Sequence, residues 1–332
     1  MSNKVLKIVF LILGFALFGW ALVAVDIKSV LELMVQLGWG FLLVLAIYSV
    51  VTWVDTISWR YAFKPDEAEK IGLFPLWKIR QIGESFNTIT PFGTMGGEPV
   101  KAQLIKDHIG LSFKQGVASQ VVARTTFLTA LICFMVPGIL FLLNSATADE
   151  NFKTISVSLI STFTTAIFLF FLFQATGSLG KVMGFLARLI PPLRGSEFLD
   201  HMVELDQLMS GYYRRYPARL GLSIGYAVAG WIIGLGELYV TLYFLGVEVS
   251  LTDLWIMEAV SQLIRVCSFF IPLSIGAQEG GFILIFSSIG LTADIGLAVS
   301  FVRRMKELVW VGMGLALGGR AAMKPPATSQ DE

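Results

Sequence analysis

The sequence predicts an all-α integral membrane protein: about six transmembrane helices plus two re-entrant helical hairpins, arranged as inverted-topology repeats. Three observations predict it. Of 332 residues, 55% are hydrophobic and only 15% are charged, with a mean hydropathy of +0.73, the balance of a bilayer-embedded chain. Two stretches, Pro91-Phe-Gly93-Thr-Met-Gly96-Gly97-Glu98 and Pro272-Leu-Ser-Ile-Gly276-Ala-Gln-Glu279, share a skeleton in which a glutamate follows a proline by seven residues. The basic residues crowd onto one side of the apolar spans, as the positive-inside rule requires.

Each element follows from the apolar runs. Residues 8–25, after Lys4 and Lys7, read as a first span retained in the chain, because small residues are poorly placed for signal cleavage. Residues 26–38 connect to a second span over 39–58, which carries Asp55. Residues 62–79 read as a polar, basic connection. An apolar arm over 80–90 enters the Pro91 break, and 99–112 lead out. Neither arm reaches across about 30 Å of hydrocarbon at about 1.5 Å per residue, so a re-entrant hairpin fits better than two spans. Residues 117–143, with Arg124 inside, make the third span, and 154–175 the fourth. Residues 176–217 form the longest polar section, a cytoplasmic linker. Within it Phe198, Leu199, Met202, Leu205, Leu208, Met209 and Tyr212 recur at helical spacing opposite Asp200, Glu204 and Asp206. That pattern is an amphipathic surface or interfacial helix. Residues 218–246, with Glu237, are the fifth span. The second hairpin descends over 254–271 to Pro272 and returns over 280–290. Residues 296–318 are the sixth span, with Arg303, Arg304, Lys306 and Glu307. The domain runs over 1–320, and residues 321–332 read as a disordered tail.

With the N-terminus inside, outer segments hold only Lys28 and Lys153, while eighteen basic residues lie in inner segments, Arg60, Arg80, Lys101 and Arg219 among them. Both termini are then cytoplasmic. The five remaining bases, Arg124, Arg265, Arg303, Arg304 and Lys306, fall within membrane segments.

The halves, about 39–143 and 218–319, overlay with a shift of 181: Pro91 on Pro272, Glu98 on Glu279, Gln81 on Gln262, Asn87 on Ser268, Glu84 on Arg265. A shift of 180 brings Arg124 onto Arg304, and one of 182 brings Asp55 onto Glu237. Three spans lie between the motifs, an odd number, so the hairpins enter from opposite faces. Paired broken helices around a central site are a transporter design, and the charge balance brings Glu98, Glu279, Arg124 and Arg304 together there. Candidate binding residues are these four, with Asn87, Gly97, Arg265, Asp55 and Glu237 around them. The hairpin breaks are Pro91, Pro272, Gly96 and Gly276.

A charge at mid-helix costs about 2.5–3.5 kcal/mol on insertion scales, so such charges are paired or hydrated. Two roles are open to them: structural ion pairs between the halves, or a polar, partly wet cavity for a lipid headgroup or an ion. Arg124 and Arg304 suit phosphate, whose oxygens match the guanidinium fork. Glu98 and Glu279 suit a cationic headgroup or proton carriage. Cys133 and Cys267 lie in apolar segments as small hydrophobes, and His108 and His201 have no metal-ligand spacing. No phosphate-binding loop, nucleophile elbow or zinc-protease motif is present. Cofactors, metals and nucleic acid are not expected as partners.

Asn87-x3-Pro91 with Gly96-Gly97-Glu98-Pro99, and Pro272-x3-Gly276-x2-Glu279-Gly280, resemble the transmembrane domain of lysylphosphatidylglycerol synthases and its stand-alone flippase-like relatives. The resemblance covers roughly residues 5–320. It implies movement of a polar lipid, such as an aminoacylated phosphatidylglycerol, between leaflets, with membrane phospholipid or another polar lipid as substrate. Lipid-synthesis enzymes are implied as possible partners. The soluble aminoacyl-transfer domain of the full synthases is lacking, so lipid synthesis is not implied. The expectation is a lipid translocase rather than an enzyme. The alternatives are a membrane enzyme using Glu98 or Glu279 as acid or base, and a non-transporting subunit of a lipid-synthesis complex.

Overall fold

The computed structural model describes residues 27–89, 96–145, 150–178, 182, 185, 197–268, 271 and 274–318. The expected first span, the tail, and both Pro91 and Pro272 lie outside these residues. The described chain is helical, in order α1 (Ile27–Leu37), α2 (Gly40–Tyr61), α3 (Pro65–Glu69), α4 (Leu73–Ile89), α5 (Gly97–Ile109) and α6 (Phe113–Asn144). Then follow α7 (Glu150–Ala175), α8 (Glu197–Arg215), α9 (Pro217–Phe244), α10 (Leu251–Cys267), α11 (Ala277–Ser288) and α12 (Ala293–Gly318).

Local chemistry sets the boundaries. Pro65 and Pro217 open α3 and α9 at the first helical turn, where the missing N–H has no intrahelical partner to lose. Ser112 caps α6: its Oγ accepts from the Gln115 N–H at 3.2 Å, and Gln115 Oε1 accepts from the Ser112 N–H at 2.8 Å. Ser250 caps α10 by accepting from the Asp253 N–H at 3.0 Å.

Four helical segments among the described residues are long and apolar enough to cross a bilayer: Gly40–Tyr61, Phe113–Asn144, Lys153–Ala175 and Pro217–Phe244. They match the second to fifth expected spans. The chain is a multi-pass membrane protein. The expected sixth span, α12, has 26 residues and so is about 39 Å long. It is set apart by Arg303, Arg304, Lys306 and Glu307, whose partners are protein carboxylates and bases. Four shorter helices stand where the hairpin arms were expected: α4 and α10 have 17 residues each, and α5 and α11 have 13 and 12. The stretch expected as a polar connection, 62–79, is different: α4 already begins at Leu73, because Leu76, Trp77 and Ile79 are buried and carry the helix back to the Trp53–Phe74–Trp77 aromatic stack.

Packing crosses between the halves. In the first, α4 lies on α5 and α5 on α6; in the second, α10 lies on α11 and α11 on α12. Between them, α2 packs on α9, α4 on α12, and α10 on α6. Two apolar cores result. One centres on Phe134, Leu238, Met257, Ile285 and Val302, the other on Phe63, Leu76, Ile105, Met209 and Tyr212. Glycine and alanine allow equivalent close approaches: Gly116 meets Ala102, and Gly296 meets the Phe282 carbonyl. Cys133, expected to be buried, is exposed on α6, an arrangement an apolar thiol tolerates on a helix facing lipid.

The amphipathic linker helix is α8, and its inner face is buried against protein. Met209, Tyr212 and Tyr213 join the second core, and α8 rests on α6, α7 and α9. Asp206, expected on the polar face, is buried where α8 meets Gly177. The Tyr212 hydroxyl donates to the Tyr61 carbonyl at 2.5 Å. Burial pushes its pKa up to about 12, so it stays a donor. Arg219 completes this corner, donating to the Phe63 and Arg60 carbonyls at 3.0 and 3.1 Å, the last acceptors of α2 and its exit. Tyr212→Phe should lower the stability of purified protein by about 1 kcal/mol through the lost hydrogen bond. Tyr212→Ala should cost about 3–5 kcal/mol, because it also leaves a cavity. Thermal melts in detergent read both, and equal losses would show that α8 is not held by this ring.

Candidate functional site

Three residues of the first site assemble from a helical stripe, and a fourth joins them from the next helix. Arg80, Glu84 and Asn87 recur at i, i+4 and i+7 along α4, so they share one face. Glu98 stands in the first turn of α5, as Glu279 does in α11. The seven-residue link from proline to glutamate therefore delivers a carboxylate to the start of each return helix, where unpaired N–H groups and the helix dipole favour it.

Asn87 locks the two arms. Its Oδ1 accepts from the Gly97 N–H at 2.7 Å, and its Nδ2 donates to Glu84 Oε2 and Glu98 Oε1, both at 3.3 Å. Gly97 is required there: a Cβ would lie 1.9 Å from the Gly83 carbonyl oxygen. Lys101 Nζ then bridges Glu84 at 2.7 Å and Glu98 at 3.3 Å, and lies 5.9 Å above the Trp59 ring. Gln120 of α6 donates to the backbone oxygens of Glu98 and Gly116 at 3.1 and 3.3 Å. Arg80 reaches Asp55 of α2 at 2.6 Å.

These side chains wall a cavity of about 120 Å³ between α2, α4, α5 and α6. Its charged lining is Asp55, Glu84 and Glu98 against Arg80, Lys101 and Arg124. Arg80 Nη1 and Gln120 Oε1 are buried without a hydrogen-bond partner, a deficit that costs about 1–3 kcal/mol each while unfilled.

The second hairpin closes on itself. The Gly276 N–H donates to Glu279 Oε2 at 2.7 Å, with φ +78° at Gly276, the left-handed region that a residue without Cβ enters freely. Ser268, where the first hairpin has Asn87, donates to Ser274 at 3.0 Å. Glu279 is 1% exposed and accepts from Arg304 Nε at 2.9 Å. Arg304 also meets Glu307 at 3.4 Å, and Glu307 meets Arg265 at 2.6 Å. Glu258 pairs with Arg303 and accepts from Gln262 at 2.6 Å. Glu237 of α9 pairs with Lys306, whose Nζ lies 4.2 Å over the Tyr48 ring. A space of about 10 Å³ lies here, beside Ser261, Arg265, Gln278, Phe282 and Arg303.

The expected residues thus fall in two places. Asp55, Glu98 and Arg124 line the larger cavity, with Asn87 and Gly97 behind it. Glu279, Arg304 and Arg265 belong to the second network, with Glu237 reaching it through Lys306 on α12. Gly96 and Gly276 sit at the starts of the return helices. Tyr48 lies between the two places: Lys306 sits over its ring, and it shares α2 with Asp55, seven residues on. Sequence reasoning missed Arg80 and Lys101 as lining residues, because both were assigned to cytoplasmic segments. Gln120 was not singled out. The i+3 spacing of Lys101 from Glu98 was the available signal.

A family model described as the lysylphosphatidylglycerol synthase TM region matches residues 5–315. No curated protein and no solved structure matches the chain.

Lys101→Met leaves Glu84 and Glu98 without their cation. It should destabilise the protein by about 1–3 kcal/mol, less than the cost of breaking a fully buried pair, because the Glu84 and Glu98 side chains are 40% and 31% exposed. Adding Glu84→Gln should recover part of the loss. A double variant melting no higher than Lys101→Met would show that the ion pairs do not hold the arms. Gly97→Ala should misassemble, since the obstacle is backbone; a wild-type melt for it would contradict the described approach. The match over nearly the whole chain, on a helical, multi-pass frame with both motifs present, shows that this protein belongs to the family of the lysylphosphatidylglycerol synthase transmembrane region, a family of lipid modification or transport.

Proposed function

We propose that the protein is a lipid translocase of the bacterial inner membrane. In this reading a polar headgroup crosses through the charged cavity while the acyl chains stay in lipid. The observation that carries it is the cavity itself: six charges around about 120 Å³ of space, walled by helices of which two are long apolar spans. An ion-pair network serving stability alone has no need of such a space, and buried charges are tolerated at membrane depth where they line a wet path.

Inverted repeats are part of the proposal, with both termini cytoplasmic and six spans flanking two re-entrant hairpins. The crossed packing of α4 on α12 and α10 on α6 supports it. So do the lining residues of the two spaces. With shifts of 180 and 181, Arg80, Glu84, Lys101 and Ala123 of the larger correspond to Ser261, Arg265, Phe282 and Arg303 of the smaller. One space is open and its counterpart is nearly closed. Alternation follows if the paired helices rock about the α2–α9 contact, closing one as the other opens.

Reconstitution in vesicles with a headgroup-labelled phospholipid, followed by leaflet-selective chemical quenching, tests transport. Wild-type protein should equilibrate the label. Glu98→Gln and Glu279→Gln should each slow it by about tenfold or more, a barrier rise of at least about 1.4 kcal/mol. Equal, background rates for all three would overturn transport, and conversion of the lipid to a new species would identify an enzyme. For orientation, a cysteine placed at Glu150 in a background with Cys133→Ala and Cys267→Ala should react with impermeant reagents from outside alone.

A further inference from the structure

The larger cavity has a charge rule. Its charged lining among the described residues balances, three carboxylates against three cations. Two polar atoms of that lining remain unanswered. Arg80 donates through Nη2 to Asp55 at 2.6 Å, leaving Nη1 buried without an acceptor. Gln120 is 7% exposed, and its amide nitrogen donates to two backbone oxygens, which fixes the orientation of the amide. Its Oε1 is therefore an acceptor without a donor. A ligand that answers both atoms brings an anionic acceptor and an N–H or O–H donor together.

From this we infer that the cavity takes a phospholipid headgroup of zero net charge, carrying one phosphate and one ammonium, the phosphate toward Arg80 and the ammonium toward Gln120 and Glu98. Neutrality is the selective element. A balanced lining in a low-dielectric region has no counter-charge for a net anion or a net cation, so either enters with an uncompensated charge. A zwitterion of this kind leaves the balance intact and supplies both missing partners. This inference rests on the reading of the cavity as a lipid-headgroup site and adds its selectivity.

The test uses the full-length purified protein in micelles with three dioctanoyl probes: phosphatidylethanolamine (neutral), phosphatidylglycerol (one net negative charge) and lysylphosphatidylglycerol (one net positive charge). Calorimetric titration should rank phosphatidylethanolamine first by about tenfold or more, equivalent to about 1.4 kcal/mol. Removing one lining charge should move the preference predictably. Lys101→Gln leaves the lining negative and should favour the lysyl lipid; Glu84→Gln leaves it positive and should favour phosphatidylglycerol. The double variant is neutral again and should return to phosphatidylethanolamine, which keeps the rule testable where a single variant fails to fold. Binding of all three probes with equal affinity in every variant would overturn the charge rule while leaving a headgroup site standing. Binding of none would overturn both. Water-soluble phosphoethanolamine at the same concentration should not displace the lipid, and displacement equal to that by the lipid would overturn the assignment to a membrane ligand.

Discussion

Lys101 reaches Glu84 at 2.7 Å and Glu98 at 3.3 Å, joining the two arms of the first hairpin just beyond the break between them. Much of the first half depends on that bridge. It neutralises two carboxylates that apolar surroundings would otherwise penalise. It fixes α4 against α5 with its stem lying over Gly83, where an added Cβ would meet that stem. From α4 the same face extends through Arg80 to Asp55 and so to α2, which packs on α9 at the boundary between the halves. From α5 it extends through Glu98 and Gln120 to α6. A membrane interior offers no hydrophobic reward for bringing helices together. Pairing of charges, with close backbone approach, takes that part here.

The same skeleton is used twice with different chemistry. In the first half a cation bridges two carboxylates and space remains around them. In the second, Phe282 stands where Lys101 would be, Arg303 lies 4.9 Å over that ring, and Arg304 closes directly on Glu279. The polar contacts change as well: Asn87 reaches across to the Gly97 amide of the return helix in the first half, whereas in the second Glu279 caps its own helix at the Gly276 amide. Ala277 and Gln278, standing where the first motif has Gly96 and Gly97, already mark this difference in the sequence. The larger space is associated with the half in which a flexible lysine stem holds Glu84 and Glu98. The smaller is associated with fork-shaped guanidinium groups, which fill the volume they neutralise.

Most of the frame was legible. Apolar runs located α2, α6, α7, α9 and α12 to within a few residues, since a helix in lipid must be apolar over its length. The amphipathic period located α8. The proline–glutamate spacing located both return helices. Less was legible at the site. Arg80 and Lys101 looked like cytoplasmic charges, because a base near the end of an apolar run is ordinarily solvated. What buries them is the opposing helix: Asp55 comes from α2 and Glu84 from α4, each at a long sequence separation. Asp206 was misplaced for the same reason, since helical period gives a face but not what covers it.

Composition and the runs of apolar residues thus determined that the chain is a helical membrane protein, because the bilayer constrains each segment separately, and the paired proline motifs marked where the helices bearing Glu98 and Glu279 begin. The choice of partner for each buried charge was left to the tertiary structure. Glu98 and Glu279 are equivalent in sequence, yet one lines a cavity beside Lys101 and the other is sealed by Arg304. That difference arises from which helices meet around each carboxylate, and ion pairing at a few ångströms is decided by that meeting alone.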